Sequence, residues 1–279
     1  MRILRIIKIS RPVSWVIGPI IFSVPFFIFK TFPSPVAFMQ MLSLSFPLCF
    51  ILFGINDIFD YESDRKNPRK GSVHGAVLRK SEFRIVWLLS FIFALTIFIL
   101  SLTTFNSANI ILSALLLFFS YFYSSKPIRL KELPPLDSIS NALIIYLLVG
   151  IGYSYIEPVL ILPFNGFIRD GYTLLLAVVS IHIFSTLMDY TPDKKVNVRT
   201  FSTVFGKRNA SLSAILIMVI ALISLESRDL FILGFLFSSL LFYAIIFAFE
   251  NEKLARKLFC LQFIIFFICS TGYLLTRVF

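Results

Sequence analysis

Two clusters of oxygen-bearing side chains close two apolar runs of this chain. Residues 54–64 read Gly-Ile-Asn-Asp-Ile-Phe-Asp-Tyr-Glu-Ser-Asp, which puts Asn56, Asp57, Asp60 and Asp64 in one stretch. Asp189 and Asp193 end a second run, in Asp-Tyr-Thr-Pro-Asp. A carboxylate at the edge of hydrocarbon is costly and marks a functional position. Several together repel one another unless a cation lies between them. On a helix turning about 100° per residue, Asn56, Asp57, Asp60 and Asp64 fall within an arc of roughly 100°. They read as a stack of hard oxygen ligands. Without His or Cys, such a set suits Mg²⁺ or Mn²⁺, not zinc. Because Mg²⁺ is usually held by a few carboxylates together with substrate phosphates and waters, the expected chemistry is metal-assisted binding of a diphosphate. Asp189 and Asp193 would supply a second set of ligands. Pro192 disfavours helical geometry at Thr191 and suits a first helical turn. The expectation is a helix that ends near Tyr190, with Asp193 opening a short new one.

A leaving diphosphate also needs cationic and hydroxyl donors. The loops that follow the clusters carry them. Arg65-Lys66-Asn67-Pro68-Arg69-Lys70 follows the first cluster, and Lys194, Lys195 and Arg199 follow the second. A further loop holds Tyr123, Ser124, Lys126, Arg129 and Lys131. Of these, Lys126, Arg69, Lys70 and Arg199 are the first candidates for substrate contact. His182, two turns before Asp189, reads as a hydrogen-bonded packing residue, and the 34 Phe residues as packing or lipid-facing groups.

The elements that must position these groups are membrane spans. Of 279 residues, 58% are hydrophobic and 15% charged, with a mean hydropathy of +0.89. That is too apolar for a soluble domain of this size. Nine spans are predicted, at about 12–29, 36–57, 83–103, 107–123, 137–162, 171–189, 210–225, 229–249 and 254–276, in a single transmembrane domain over residues 1–279. Residues 1–10 are basic and lead straight into the first span, so no signal peptide is expected. With nine spans, Lys and Arg sort twenty-two to one side and four to the other. This places the N-terminus and both acidic clusters in the cytoplasm. The net charge of +11 is thereby explained without a nucleic-acid partner. Cys49, Cys260 and Cys269 lie inside apolar spans and read as free, buried thiols.

These residues resemble the UbiA superfamily of intramembrane prenyltransferases. The likeness lies in Asn56-Asp57-x-x-Asp60-x-x-x-Asp64, in Asp189-x-x-x-Asp193, in Tyr123-Ser124-x-Lys126 between them, and in the opening Arg11-Pro12. Finer text is similar to the lycopene elongases of that superfamily: Tyr61 to Asp64 running on through Asn67-Pro68-Arg69-Lys70-Gly71 to Gly75, Arg129-x-Lys131-x-x-Pro134-x-x-Asp137, and Arg199-Thr200 followed by Gly206. The second motif departs from the family, with Pro192 in place of a helix former and Asn197 where a Gly is often found. The resemblance implies an all-α fold of about nine helices around a central cavity. It implies that Asp57, Asp60, Asp64, Asp189 and Asp193, with Asn56, hold two Mg²⁺ ions that grip a prenyl diphosphate. It implies substrate-binding roles for Asn56, Arg11, Arg69, Lys70, Tyr123, Ser124, Lys126, Arg129, Lys131 and Arg199. Ionisation of the donor would give an allylic cation, and a lipophilic acceptor within the bilayer would capture it. Lycopene is the acceptor the finer likeness indicates, with or without hydration. An aromatic or quinone precursor, a haem or a glycerol phosphate lipid stays open as acceptor. A membrane transporter stays open as the reading of another class, since acids in spans also carry cations.

Overall fold

The computed structural model describes residues 3–65, 77–157, 166–226 and 229–278, and every regular element among them is helical. Among the described residues, seven helical stretches are long and apolar enough to cross a bilayer: Pro35–Phe59, Lys80–Leu102, Leu136–Tyr153, Gly171–Lys195, Lys207–Ser224, Leu230–Phe249 and Glu252–Thr276. Two shorter apolar stretches, Pro12–Ile28 and Ser107–Phe122, coincide with the expected first and fourth spans. The helix of the fifth span ends at Tyr153, short of the expected 162. The protein is thus an all-α integral membrane protein. Its helices carry small polar side chains inside, among apolar ones, and apolar side chains outside. Along Phe83–Leu102, Leu88, Phe91, Leu95 and Ile99 are exposed while Ser90 and Ser101 are buried. That is the pattern of a helix whose outer face meets lipid tails.

The chain divides into two compact units, Met1–Arg129 with Leu147–Leu160, and Leu130–Tyr146 with Ile161–Phe279. The first contains α1 (Ile3–Ile9), α2 (Ile17–Ile28), α3 (Pro35–Ser43), α4 (Phe46–Phe59), α5 (Tyr61–Asp64), α6 (Phe83–Leu102) and α7 (Ser107–Phe122). α4 packs against α1, α6 and α7. The expected single span 36–57 is two helices, broken at Leu44 and Ser45. Pro47 explains the break, since it has no N–H for the Ser43 carbonyl and its ring would collide with that carbonyl in a continuous helix. α2 crosses closely at this break. A Cβ added to Gly18 would collide with the Leu44 carbonyl oxygen. A buried polar network closes one end of the unit. The Gln40 amide donates to Asn109 Oδ1 (3.0 Å) and Ser113 Oγ (3.2 Å), Asn109 donates to Ser154 Oγ (2.9 Å), and Tyr155 Oη donates to Gln40 Oε1 (2.7 Å).

α8 (Leu136–Tyr153) begins in the second unit, which also holds α9 (Gly166–Thr186), α10 (Tyr190–Lys195), α11 (Phe201–Phe205), α12 (Lys207–Ser224), α13 (Leu230–Phe249) and α14 (Glu252–Val278). α12 packs on α9 and α13, and α13 on α14. Lipid removes most of the hydrophobic drive between helices, so close approach and interhelical hydrogen bonds must supply the stability. Ala210, Ala214, Met218 and Ala221 are fully buried along one side of α12. Ser180 Oγ of α9 donates to the Ala214 carbonyl at 2.6 Å. Phe184 stacks on Tyr243 at 4.4 Å, and Gln262 donates to both Tyr243 Oη and Ser239 Oγ at 2.8 Å. The thiols depart from expectation: Cys49 is buried, but Cys269 is half-buried and Cys260 exposed. An apolar run in a membrane protein does not distinguish a core-facing position from a lipid-facing one.

Candidate active site

The first motif begins on α4 and ends on α5. The expected unbroken helix bends at Asp60, whose φ of −93° and ψ of 5° close α4 before α5 starts at Tyr61. The i to i+4 bonds run through the bend: Asp60 N donates to Asn56 O (2.9 Å) and Asp64 N to Asp60 O (2.8 Å). Asp57 and Asp64 are buried, at 1% and 7% exposure. Buried carboxylates need compensating charge, and two arginines bring it to Asp57 and to the half-buried Asp60. Arg129 Nη2 donates to Asp60 Oδ1 at 2.8 Å, and its Nη1 reaches the Phe59 carbonyl at 3.4 Å. Arg11 Nη2 lies 3.5 Å from Asp57 Oδ1, and its guanidinium covers the Phe53 ring at 4.2 Å. The 2.8 Å contact is a full charge-assisted hydrogen bond, whereas the 3.5 Å one acts mainly through charge. Both arginines have left-handed backbones, with φ of 49° at Arg11 and 50° at Arg129. This conformation costs a non-glycine residue about 1 kcal/mol and concentrates at functional sites. Ser124 Oγ donates to Asn56 Oδ1 at 3.1 Å. Tyr123 follows α7 and is half-buried, Lys126 is exposed, and Lys131 is half-buried in the short 3₁₀ turn Leu130–Glu132. Arg69 and Lys70 lie outside the described residues.

The second motif lies in the other unit and is built differently. α9 gives way at Thr186 to a 3₁₀ turn, Leu187–Asp189, and α10 starts at Tyr190. The short new helix therefore opens three residues before Asp193, with Pro192 in its first turn, where a missing N–H is tolerated. Asp189 and Asp193 consequently do not share one regular helix. α10 closes with Asn197 at a φ of 56°, and Val198 N donates to Asp193 O at 3.0 Å. Arg199 is exposed just ahead of α11. The backbone N–H of Phe201, the first residue of that helix, donates to Asp137 Oδ2 at 3.0 Å. Asp137 Oδ1 takes the Ser138 N–H (2.7 Å) and hydroxyl (3.2 Å), and that same hydroxyl lies 2.9 Å from His182 Nδ1. Asp137 thus fixes the segment that carries Arg199, and His182 is the packing residue expected.

Three residues around this motif were not singled out by sequence. Arg256 of α14 donates to the Met188 carbonyl through Nε (2.9 Å) and Nη2 (2.8 Å) and lies 3.7 Å from Asp189 Oδ1. Glu252 accepts from Thr191 Oγ1 and pairs with Lys207 Nζ at 2.7 Å. Lys207 also lies over the Tyr190 ring at 4.9 Å. In the sequence Lys207 and Arg256 are only two of the twenty-two basic residues on the predicted cytoplasmic side. Glu252, an acid at the end of an apolar run, meets the criterion that flagged the aspartates.

Among the described residues, no three His, Cys, Asp or Glu side chains gather closely enough to hold an ion by themselves. The donors present, one amide oxygen and carboxylates, are nonetheless the hard oxygen set that Mg²⁺ takes alongside substrate phosphates.

The family described as UbiA prenyltransferase matches residues 16–270. A lycopene elongase/hydratase of Corynebacterium glutamicum is 30% identical over 228 residues, covering 80% of this chain and 77% of the relative. A C(50) beta-cyclic carotenoids biosynthesis protein of Dietzia sp. is 29% identical over 227 residues, covering 77% of this chain. The chain spans about half, 49%, of that relative's length. In fold, the chain is similar to a UbiA homologue from Archaeoglobus fulgidus solved with GPP and Mg²⁺, with a TM-score of 0.73 at 22% identity over 98% of this chain and 99% of that one. Between group transfer and transport, these matches decide for transfer, and this chain belongs to the UbiA prenyltransferase family.

Proposed function

We propose that this chain elongates lycopene or a closely similar polyene, taking the prenyl group from an allylic prenyl diphosphate. The observation that carries the site is the first motif: Asn56, Asp57, Asp60 and Asp64 within three turns, flanked by Arg11 and Arg129. The lycopene acceptor is supported by the names of the Corynebacterium relative and, through C(50) carotenoids, the Dietzia one. Residues 1–279 act as one prenyltransferase domain. Mg²⁺, with two ions as the working number, would be held by Asn56, Asp57, Asp60 and Asp64 and by Asp189 and Asp193. When bound, it supplies positive charge to the diphosphate.

The chain's own residues do the rest. Arg11 and Arg129, already aimed at the motif carboxylates, orient the diphosphate oxygens. Arg69, Lys70, Lys126, Lys131 and Arg199 add charge, and Tyr123 and Ser124 add hydroxyl donors. The allylic C–O bond breaks with its electron pair leaving on the diphosphate. The terminal double bond of the acceptor forms the new C–C bond. The resulting cation loses a proton, or takes up water and then loses a proton. Apolar surroundings keep water from the first cation. The N-terminus and the site loops face the cytoplasm, where the soluble diphosphate is released.

The test is expression in a lycopene-making host, followed by mass analysis of the extracted pigment. Growth of lycopene by one or two five-carbon units is the expected result. Unchanged lycopene, with turnover on an aromatic acceptor or a glycerol phosphate lipid, would replace the acceptor and keep the enzyme class.

A further inference from the structure

Pro192 sets a problem within the second motif, and a residue 64 positions further on solves it. A helix continuous through this break would bond the N–H of residue 192 to the carbonyl of Met188, but the chain makes a 3₁₀ turn at Leu187–Asp189 and proline has no N–H to give, so the Met188 carbonyl must find another donor. Arg256 takes that place with two donors, Nε at 2.9 Å and Nη2 at 2.8 Å. The same guanidinium lies 3.7 Å from the Asp189 carboxylate, the next residue along. Those two side chains are 46% and 37% exposed for Asp189 and Arg256 respectively, so water screens the ion pair and the carbonyl fork is the stronger tie. One turn earlier on α14, Glu252 accepts from Thr191 Oγ1 and is itself held by Lys207. Positions 252 and 256 lie on one face of the helix. α14 therefore grips the segment 188–191 at both ends.

We propose that Arg256 is the positioning residue of the second Asp motif, fixing Asp189 by capping the Met188 carbonyl that Pro192 cannot serve. The inference rests on the reading that Asp189 and Asp193 take part in metal–diphosphate binding. Residues that orient a ligand from behind typically contribute 10–100-fold to metal affinity. Removing Arg256 should leave the fold in place and let Asp189 swing.

The experiment uses the full chain in detergent and measures Mn²⁺ binding by electron paramagnetic resonance in the presence of inorganic pyrophosphate. Arg256→Met is expected to weaken Mn²⁺ about 10-fold or more, with a melting curve close to that of the parent. Arg256→Lys keeps the charge but loses the fork and should recover only part of the affinity. Pro192→Ala, which restores the N–H, should recover part of the loss when combined with Arg256→Met. A merely structural arginine would lower the melting temperature and leave Mn²⁺ affinity of the folded protein unchanged. Parent-like affinity in Arg256→Met, beside a loss in Asp189→Asn, overturns the positioning role alone. Parent-like affinity in Asp189→Asn overturns it together with the metal reading of this motif. Should Arg256→Met not accumulate, Arg256→Lys decides: several-fold weaker binding supports the role, and unchanged binding ends it.

Discussion

The two aspartate motifs are held by opposite strategies. The first is half-buried to buried, follows a helix with one bend, and is met at Asp57 and Asp60 by Arg11 and Arg129, both of which take a costly left-handed backbone. The second is more exposed, straddles a break between two helices, and is fixed from behind by Glu252 and Arg256 of the last helix. In the first motif the guanidiniums address the carboxylates themselves. In the second the main contact is with a main-chain carbonyl, and the carboxylate is a secondary partner. A cation that competes for Asp57 or Asp60 must displace an arginine or share with it. A cation at Asp189 meets an acid whose arginine is held chiefly by the Met188 carbonyl. Sequence spacing makes the motifs look like a pair, but the geometry makes the first a preset charge cluster and the second a scaffolded turn.

The largest effect that would sharpen this contrast is loss of the acids. Asp60→Asn and Asp193→Asn should each slow turnover by about 10³-fold or more, roughly 4 kcal/mol of transition-state stabilisation, with little change in expression. Excess chelator should stop the parent enzyme entirely. Radiolabelled prenyl diphosphate consumption measures all three. If Asp193→Asn kept most of the activity, the second turn would be scaffold only and the contrast complete.

Next in size is the helix crossing that seats the first motif. Gly18→Val would drive a branched side chain into the Leu44 carbonyl at the break ahead of α4, costing about 1–3 kcal/mol or more. The unit carrying the second motif packs through alanines and a serine-to-carbonyl bond. Breaking that bond by Ser180→Ala should cost about 0.6 kcal/mol, up to roughly 1.7. Thermal unfolding in detergent would rank the two. Equal losses would show that close backbone approach is no more important in the first unit than in the second.

Arg129 tests the preset cluster more finely. Arg129→Ala removes the 2.8 Å contact to Asp60 and should lower kcat/KM about 10–100-fold. Arg129→Gly should lose the same activity, yet be about 1 kcal/mol more stable than the alanine variant, because glycine accepts a φ of 50° without strain. Equal stability of the two would mean that the backbone pays nothing to aim this arginine.

Much of the first motif was legible because its information is local. The spacing of Asn56, Asp57, Asp60 and Asp64 survives a bend, since the i to i+4 bonds run through it. Apolar length located most of the helices within a few residues, yet it ran the fifth span past Tyr153 and joined α3 and α4, where Pro47 divides them. It also gave no sense of which side of a span faces lipid, so Cys260 was misplaced. The second motif was less legible for a physical reason. Pro192 announces an unserved carbonyl at Met188, but nothing local says that a guanidinium on α14 serves it. In the sequence Asp137 stands out only as part of a resemblance, because its partner, the Phe201 N–H, lies 64 residues away.

Asn197 is the smallest and most local test of the comparison. The last residues of α10 close in the manner of a Schellman motif: Val198 N donates to Asp193 O at 3.0 Å and Asn197 N to Lys194 O at 3.3 Å, around the left-handed φ of 56° at Asn197. Asparagine tolerates that conformation better than any side chain but glycine, which explains why it can stand where the resembling sequences often carry glycine. Asn197→Gly should therefore be neutral or stabilising by a few tenths of a kcal/mol, up to about 1. Asn197→Val should cost about 1–2 kcal/mol. It should also slow turnover, because the carbonyl that loses its cap belongs to Asp193. Unfolding curves and kcat for the two variants give the answer. A valine variant that is destabilised yet fully active would show that the C-terminal cap of α10 holds the helix without holding its carboxylate, and would shift the weight of positioning to the contacts that α14 makes from behind.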